Sequence, residues 1–219
     1  MKRPYTICYM MTSIDGRIDC PMTEQLPGVE EYYRIVDELD AGAHISGRYT
    51  AELEMASGIF SCEEAHPYGK EGFYKAQDSA CYEITVDTRG RLLWENGNSS
   101  LLIITSEEAS KEYLDYLTAN HISWIATGKG HEGLPRAMEI LAEEFGVKRA
   151  AVLGGPVINT AFLENGLLDE VSLLIGSGID GRGGMQAVFD GRDAESRVKQ
   201  LTLTHVSQEG NALWVRYKV

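Results

Sequence analysis

A glycine pair followed by proline offers the clearest chemistry in this sequence. Gly154-Gly155-Pro156 follows the apolar segment Arg149–Leu153 and precedes a short helical stretch that reaches Leu163. Two glycines let the backbone come close to a ligand, proline suits the first turn of a helix, and the amides beyond it form an anion site. A diphosphate would fit there, and a ligand-free turn is an equally good interpretation. The segment is not G-x-G-x-x-G, so a Rossmann site lacks its main support.

A second polar group follows the first predicted strand. Thr12-Ser13-Ile14-Asp15-Gly16 comes after the β-favouring segment Tyr5–Met11 and supplies hydroxyls and a carboxylate. Ligands bind open α/β sheets at the carboxyl ends of central strands, although an Asp-Gly pair more often forms only a turn. Asp87 and Thr105-Ser106 also follow strand-like segments, so we expect polar groups to converge on one sheet edge. Thr105 has a competing role as a helix cap.

The sequence contains no motif for redox-active cysteines, metal binding, hydrolysis, P-loop nucleotide binding or deamination. The four cysteines form no C-x-x-C pair and are expected to be ordinary reduced thiols. The histidines show no metal-ligand spacing, so each is expected to be a surface or packed residue, and no metal site is predicted. The hydrolase elbow, the P-loop and the nucleoside-deaminase zinc motif are absent. The histidines are His44, His66, His121, His131 and His205.

Strands and helices alternate in the middle of the chain. The capping-box spacing Thr105-Ser106-Glu107-Glu108 predicts a helix that reaches Leu117, and a second helix is predicted over Pro135–Phe145. Buried strands are predicted at Leu101–Ile104, Ile122–Ala126 and Arg149–Leu153. This order predicts a parallel sheet covered by helices on both faces.

The flanking segments complete the predicted fold. Earlier elements are a helix over Glu30–Leu39 and strands at Ala43–Ser46 and Cys81–Asp87; later ones are a strand at Val171–Ile175 and an antiparallel hairpin of Leu201–Val206 with Ala212–Lys218. The predicted class is α/β, with a mixed, mainly parallel sheet flanked by helices. Residues 1–219 are predicted to form one domain. A loop insertion at about 55–80, where periodicity fails, is either functional or a surface excursion.

The charge balance restricts the partners. The chain has 20 Lys and Arg against 33 Asp and Glu, a formal charge of −13. A surface of this sign repels nucleic acid and anionic lipid, whereas backbone amides can still hold an anionic dinucleotide. No apolar run approaches the ~20 residues of a membrane span, and the first residues contain no signal-type stretch. A cytoplasmic protein is therefore predicted.

Several spaced segments together resemble one family. They resemble the pyrimidine reductase domain of riboflavin biosynthesis, the RibD C-terminal family of the dihydrofolate-reductase-like superfamily. The resemblance implies a dihydrofolate-reductase-like sheet, a homodimer, and the NADPH-dependent activity of a 5-amino-6-(5-phosphoribosylamino)uracil reductase, which reduces a ribose to a ribityl chain. The segments are Ser13-Ile14-Asp15-Gly16-Arg17-Ile18, Gly47-Arg48-Tyr49-Thr50, and Gly154-Gly155-Pro156 with Asn159, Leu163 and Gly166-Leu167-Leu168-Asp169-Glu170-Val171.

The resemblance also implies roles for individual residues. Asp15 becomes a candidate catalytic residue that orients the substrate or handles a proton. The choice between NADPH and NADH stays open, and the basic candidates for a 2′-phosphate contact are Arg89, Arg91 and Lys111. The implied positions are Gly154, Gly155 and Pro156 at the cofactor phosphates, Gly47 and Thr50 on the cofactor side, Thr105 and Ser106 near the adenosine 2′-phosphate, and Ser13, Asp15 and Gly16 beside the nicotinamide and substrate.

Two departures from the family pattern bear on the substrate. Leu153 stands where the family commonly has a glutamate, and Glu54-Met55 stands where it usually has an aspartate and a proline. The missing deaminase motif means that this chain is not the bifunctional enzyme. A dihydrofolate-reductase-like reductase of another small heterocycle is therefore one alternative, and a catalytically inactive dinucleotide-binding protein is another.

Overall fold

The computed structural model describes residues 3–95 and 100–219, which form strands and helices in alternation. Among these residues no helix is both long and apolar enough to cross a membrane. The strands are β1 (Tyr5–Thr12), β2 (Ala43–Gly47), β3 (Gly58–Ile59), β4 (Gly72–Tyr74), β5 (Tyr82–Val86), β6 (Leu92–Leu93), β7 (Leu101–Thr105), β8 (Ser123–Ala126), β9 (Arg149–Gly154), β10 (Glu170–Ile175), β11 (Thr202–Glu209) and β12 (Ala212–Lys218). The helices are α1 (Cys20–Thr23), α2 (Val29–Glu38), α3 (Arg48–Glu54), α4 (Lys111–Ala119), α5 (Leu134–Glu143) and α6 (Pro156–Glu164), with a 3-10 turn at Gly130–Gly133.

The chain divides into two compact units, and the first contains Gly42–Ala150. Its strands β2, β5, β7 and β8 are successive parallel neighbours. All five residues of β7 are buried, as expected of a strand covered on both faces. The carboxyl ends of these four strands therefore lie along one edge of the sheet.

The segment at about 55–80 contains regular structure. β4 pairs antiparallel with β8 at the sheet edge, and β3 pairs with β6. Phe60 and Tyr68 pack against the buried cluster around Tyr113 and Trp124, with edge-to-face ring contacts. This segment thus contributes two short strands and aromatic side chains to the first unit.

The second unit contains Tyr5–Ala41 and Ala151–Val219. β10 lies between β1, to which it is parallel, and β12, to which it is antiparallel. β11 pairs antiparallel with β12, and β9 lies beside β1. The predicted mixed, mainly parallel sheet with flanking helices and a C-terminal hairpin is confirmed.

The predicted capping box at Thr105–Glu108 is wrong. β7 continues through Thr105, so this residue ends a strand and cannot cap a helix. α4 begins at Lys111, and the Ser110 hydroxyl accepts the Tyr113 amide N–H at 3.1 Å. Ser110 has the capping role because the chain makes a turn between the strand and the helix.

Candidate active site

The glycine pair lies where β9 ends and α6 begins. Gly154 has φ +108° and Gly155 is the N-cap residue of α6, with Pro156 at its first position. The peptide bond between the two glycines is cis. A Cβ on Gly154 would lie 2.9 Å from the Met10 Cε atom of β1. The backbone conformation therefore favours glycine at position 154, and a Cβ there would displace the flexible end of the Met10 side chain.

The start of α6 combines buried and accessible groups. Gly154 and Pro156 are buried, whereas Gly155 is half-buried and Val157 is 57% exposed. Amides in the first turn of a helix have no carbonyl partner within the helix, and they carry partial positive charge. The bend is thus a strand-to-helix junction at which Gly155 and Val157 reach the surface, and the start of a helix suits an anion.

The loop after β1 is held together by Asp15. Its carboxylate accepts the Ser13 hydroxyl at 2.7 Å and the amides of Asp180 and Gly181 at 3.0 Å each. Gly16 has φ +78°, the conformation that closes the turn. The structure brings Ser13, Asp15 and Gly16 together and fastens their loop to the segment after β10.

These three hydrogen bonds also fix the charge of Asp15. The Ser13 hydroxyl, followed by the Gly181 and Asp180 amides, lowers the pKa of Asp15 well below its ordinary value. The side chain is 31% exposed, so the charge is partly solvated. Asp15 is an ionised acceptor near neutral pH and has no proton to donate.

A cavity of about 330 Å³ lies beside this loop, within the second unit. Arg182 lines it and pairs with Asp19 at 2.8 Å and with Asp180. Asp180 is the residue whose amide bonds Asp15. The other lining residues are Pro21, Met22, Gln25 and Ile179. The cavity offers one cation, two carboxylates and apolar walls close to the candidate substrate residues.

In the first unit, three buried polar atoms at strand ends have no hydrogen-bond partner among the described residues. They are Oγ1 of Thr85, Oδ1 of Asp87 and Oγ1 of Thr105. Thr85 is in β5, Asp87 follows it, and Thr105 ends the neighbouring strand β7. Buried polar atoms are normally bonded, so atoms of this kind identify a place where a ligand or water completes the structure.

Asp87 is a functional candidate for which sequence analysis predicted no specific role. Its other oxygen accepts the amides of Arg91 at 2.6 Å and Leu92 at 3.0 Å. Burial raises the pKa of Asp87 above its ordinary value, and these amides oppose that rise only in part. The signal available in the sequence was its position directly after a strand, but the burial of its side chain could not be read there.

The remaining predicted cofactor residues have mixed environments. The Ser106 hydroxyl is buried and donates to the Thr88 carbonyl at 2.7 Å, so it ties the end of β7 to the turn after β5. Gly47 is the N-cap residue of α3 and Thr50 lies in the first turn of that helix. The Thr105 hydroxyl is buried and has no hydrogen-bond partner within the described ranges.

The three basic candidates for a 2′-phosphate contact differ in their surroundings. Lys111 pairs with Asp115 at 2.5 Å on the surface of α4. Arg89 and Arg91 are exposed on the turn after β5, and neither forms an ion pair with a residue in the described ranges. These two guanidinium groups are therefore the ones available to a phosphate.

Comparison with known proteins identifies the family. The family model of the RibD C-terminal domain matches residues 4–215. The chain belongs to the RibD C-terminal domain family. No curated protein matches this sequence closely enough to carry an argument.

Solved structures of the same fold agree with this membership. RibD of Acinetobacter baumannii is similar with a TM-score of 0.71 and 17% identity, covering 99% of this chain and 58% of that one. The chain thus spans little more than half of that protein. A pyrimidine reductase-like protein of Corynebacterium diphtheriae has a TM-score of 0.70 and 20% sequence identity, and the match covers 98% of this chain and 91% of that one. The riboflavin biosynthesis reductase Rib7 of Saccharomyces cerevisiae has a TM-score of 0.62 and 17% sequence identity, and the match covers 99% of this chain and 90% of that one.

The structure shows what two residues near the glycine pair contact. Asn159 of α6 donates to the Val188 carbonyl at 2.8 Å, and its own buried carbonyl oxygen lacks a partner within the described part of the chain. Leu153, where the resemblance led us to expect a glutamate, packs against the apolar cluster around Tyr9 and Ile35. Position 153 therefore supplies apolar packing in this chain and no carboxylate.

Proposed function

We propose that this chain is an NADPH-dependent reductase that converts the ribose of a phosphoribosylaminopyrimidine into a ribityl chain. The observation that carries the proposal is the bend at Gly154-Gly155-Pro156, which opens α6 in a chain whose family match covers residues 4–215. A cytoplasmic location is part of the proposal, because that compartment supplies reduced cofactor.

The residues present fit a phosphorylated dinucleotide. Gly154 has φ +108°, a backbone conformation that residues with side chains rarely adopt, and the following amides start a helix of nine residues. Thr105 and Asp87 carry buried oxygens that have no partner among the residues described here. In the second unit, we assign the diphosphate to the bend amides. In the first unit, Arg89 and Arg91 are exposed basic side chains of the kind that binds a phosphate group. NADPH, when bound, supplies the hydride.

The chain's own residues orient the substrate and exclude water. Ionised Asp15 fastens the loop after β1 to the segment at Asp180-Gly181, so its role is positioning. The exposed side chains of Ile14 and Ile179 lie on these two segments. Apolar groups of this kind would cover a planar ring, and hydride transfer needs close approach in a cleft with little water.

Leu153 favours a second candidate substrate. A site that lacks the family carboxylate suits a less polar heterocycle such as a pteridine, and Leu153 packs among apolar side chains. The experiment incubates the chain with NADPH or NADH and a panel of phosphoribosylaminopyrimidine and pteridine compounds, with mass spectrometry of the products. Gain of two hydrogens by the pyrimidine with NADPH supports the first proposal. Reduction of the pteridine alone supports the second, and NADPH binding without any reduction supports an inactive binding protein.

A homodimer is also proposed. The outer strand β11 exposes Leu203 at 54% and Val206 at 52%, and the neighbouring Leu213 of β12 is 41% exposed. A sheet edge with exposed apolar side chains is a surface on which another chain can pair. A second copy of the chain that covers β11 would bury them.

A further inference from the structure

Three metal-binding side chains lie together at the amino ends of β2 and β5 in the first unit. They are His44 on β2, Glu83 on β5 and Cys81 just before β5. One ligand atom from each lies within 4.8 Å of the other two. Gly47 and Asp87, which belong to the candidate active site, lie at the opposite ends of these strands. The cluster is therefore separate from the proposed reductase chemistry.

Strand pairing holds the three side chains in place. His44 and Glu83 are direct partners in the parallel register, and the His44 Nδ1 atom lies 3.1 Å from Glu83 Oε1. Cys81 is two residues before Glu83, so both side chains fall on the same side of an extended chain. The Ser79 hydroxyl donates to the Cys81 carbonyl at 2.6 Å and fixes the turn that presents the thiol.

The donor set selects the kind of ion. An imidazole nitrogen, a thiolate and a carboxylate suit a borderline transition metal, whereas Mg²⁺ and Ca²⁺ prefer oxygen ligands. Tetrahedral zinc with bonds of about 2.0–2.3 Å requires ligand atoms about 3.5 Å apart, which small side-chain rotations would give. All three residues are half-buried, so an ion can enter from solvent.

We propose that His44, Cys81 and Glu83 bind one Zn²⁺ ion, with water as the fourth ligand. The ion would join β2 to β5 and stabilise the folded state by an amount that rises with the logarithm of the ratio of free ion concentration to Kd. The sequence contains no motif for this site, because its ligands come from two strands that are distant along the chain. Only the strand register brings them together.

The same chain contains matched controls. His66 Nδ1 lies 2.9 Å from Glu112 Oε1 in a histidine–carboxylate pair that is not part of a three-ligand cluster of the described residues. Cys62 is an exposed thiol. His66→Gln and Cys62→Ser therefore remove the same side-chain types as His44→Gln and Cys81→Ser.

The experiment titrates the chelator-treated full chain with Co²⁺ and then displaces the cobalt with Zn²⁺. We expect one equivalent of Co²⁺ and a thiolate-to-cobalt charge-transfer band. Cys81→Ser should abolish the band, and His44→Gln should lower Zn²⁺ affinity about tenfold or more. The two control variants should keep both properties.

Circular dichroism of each variant verifies folding, and Glu83→Gln, at a half-exposed position, provides a second test if His44→Gln or Cys81→Ser unfolds. Loss of Zn²⁺ affinity in folded Glu83→Gln supports the site. An unchanged band in Cys81→Ser, loss of the band in Cys62→Ser, or absence of stoichiometric binding by the wild-type chain would overturn the proposal.

Discussion

The Asp15 carboxylate holds its loop in place through three hydrogen bonds. The sequence suggested substrate orientation or proton handling for this carboxylate. Its hydrogen bonds to Ser13, Asp180 and Gly181 lower its pKa, and they favour orientation. The hydrogen bonds to residues more than 160 positions away could not be inferred from an Asp-Gly turn signal.

Asp15→Asn should lower both turnover and stability near neutral pH. A lowered folded-state pKa means that the ionised form stabilises the fold above the usual carboxyl range. This contribution is lost as pH falls from that range through the lower folded-state pKa. The stability difference between wild type and variant should therefore vanish in acid. Denaturant unfolding and steady-state turnover at several pH values measure both effects. Unchanged turnover would remove Asp15 from the mechanism.

Asp87→Asn should have the opposite pH dependence. Burial raises the pKa of Asp87, so its contribution to stability is largest in acid and falls as pH rises through the folded-state pKa. The asparagine variant should gain stability relative to wild type between acid and neutral pH. Thermal unfolding across that range is the measurement. If the wild type instead gained stability relative to the variant with rising pH, the Arg91 and Leu92 amides would outweigh burial and the folded-state pKa of Asp87 would be lowered.

At the scale of elements, most boundaries could be predicted and the exceptions have clear causes. Apolar runs and glycine stops located β7, α5 and the C-terminal hairpin to within a few residues. The start of α4 was wrong, because Ser106 bonds the turn at Thr88 and Ser110 caps the helix. Two-residue strands such as β3 carry no periodic signal, so the content of the insertion could not be predicted.

Gly154→Ala tests the bend as an element. A side chain at φ +108° costs about 1–3 kcal/mol, and contact with Met10 adds to this. Gly146→Ala is the control, since Gly146 has φ +71° and open space around its Cα. Both variants should lose stability, and Gly154→Ala alone should lose NADPH affinity. Equal NADPH affinity in the two variants would show that the bend does not bind the cofactor.

For the whole molecule, the alternation of strands and helices in the sequence predicted the class of sheet. It did not predict which residues contact one another. Asp87, Thr105 and the His44 cluster depend on parallel register, which the sequence leaves undetermined. The role of Leu153 likewise became clear only from its packing. Family membership was predictable because its signature extends along nearly the whole chain.

Replacing Leu203 and Val206 with lysine should produce a monomer if β11 forms the subunit interface. Lysines on an edge strand oppose pairing with a second chain, and both positions are exposed, so the fold should persist. Lys218→Ala on β12 serves as a substitution that removes no apolar surface. Sedimentation of the three proteins at equal concentration measures their masses. A double variant that stays dimeric would place the interface elsewhere.

The most direct test of the proposed cofactor site observes the amides of the bend themselves. In a titration of the isotopically labelled chain with NADPH, we expect the largest backbone amide shifts, with saturation, at Gly155, Val157 and Ile158. If these amides stay unchanged at an NADPH concentration that saturates the rest of the spectrum, or if NADPH changes no amide at all, the assignment of the diphosphate to this bend is contradicted.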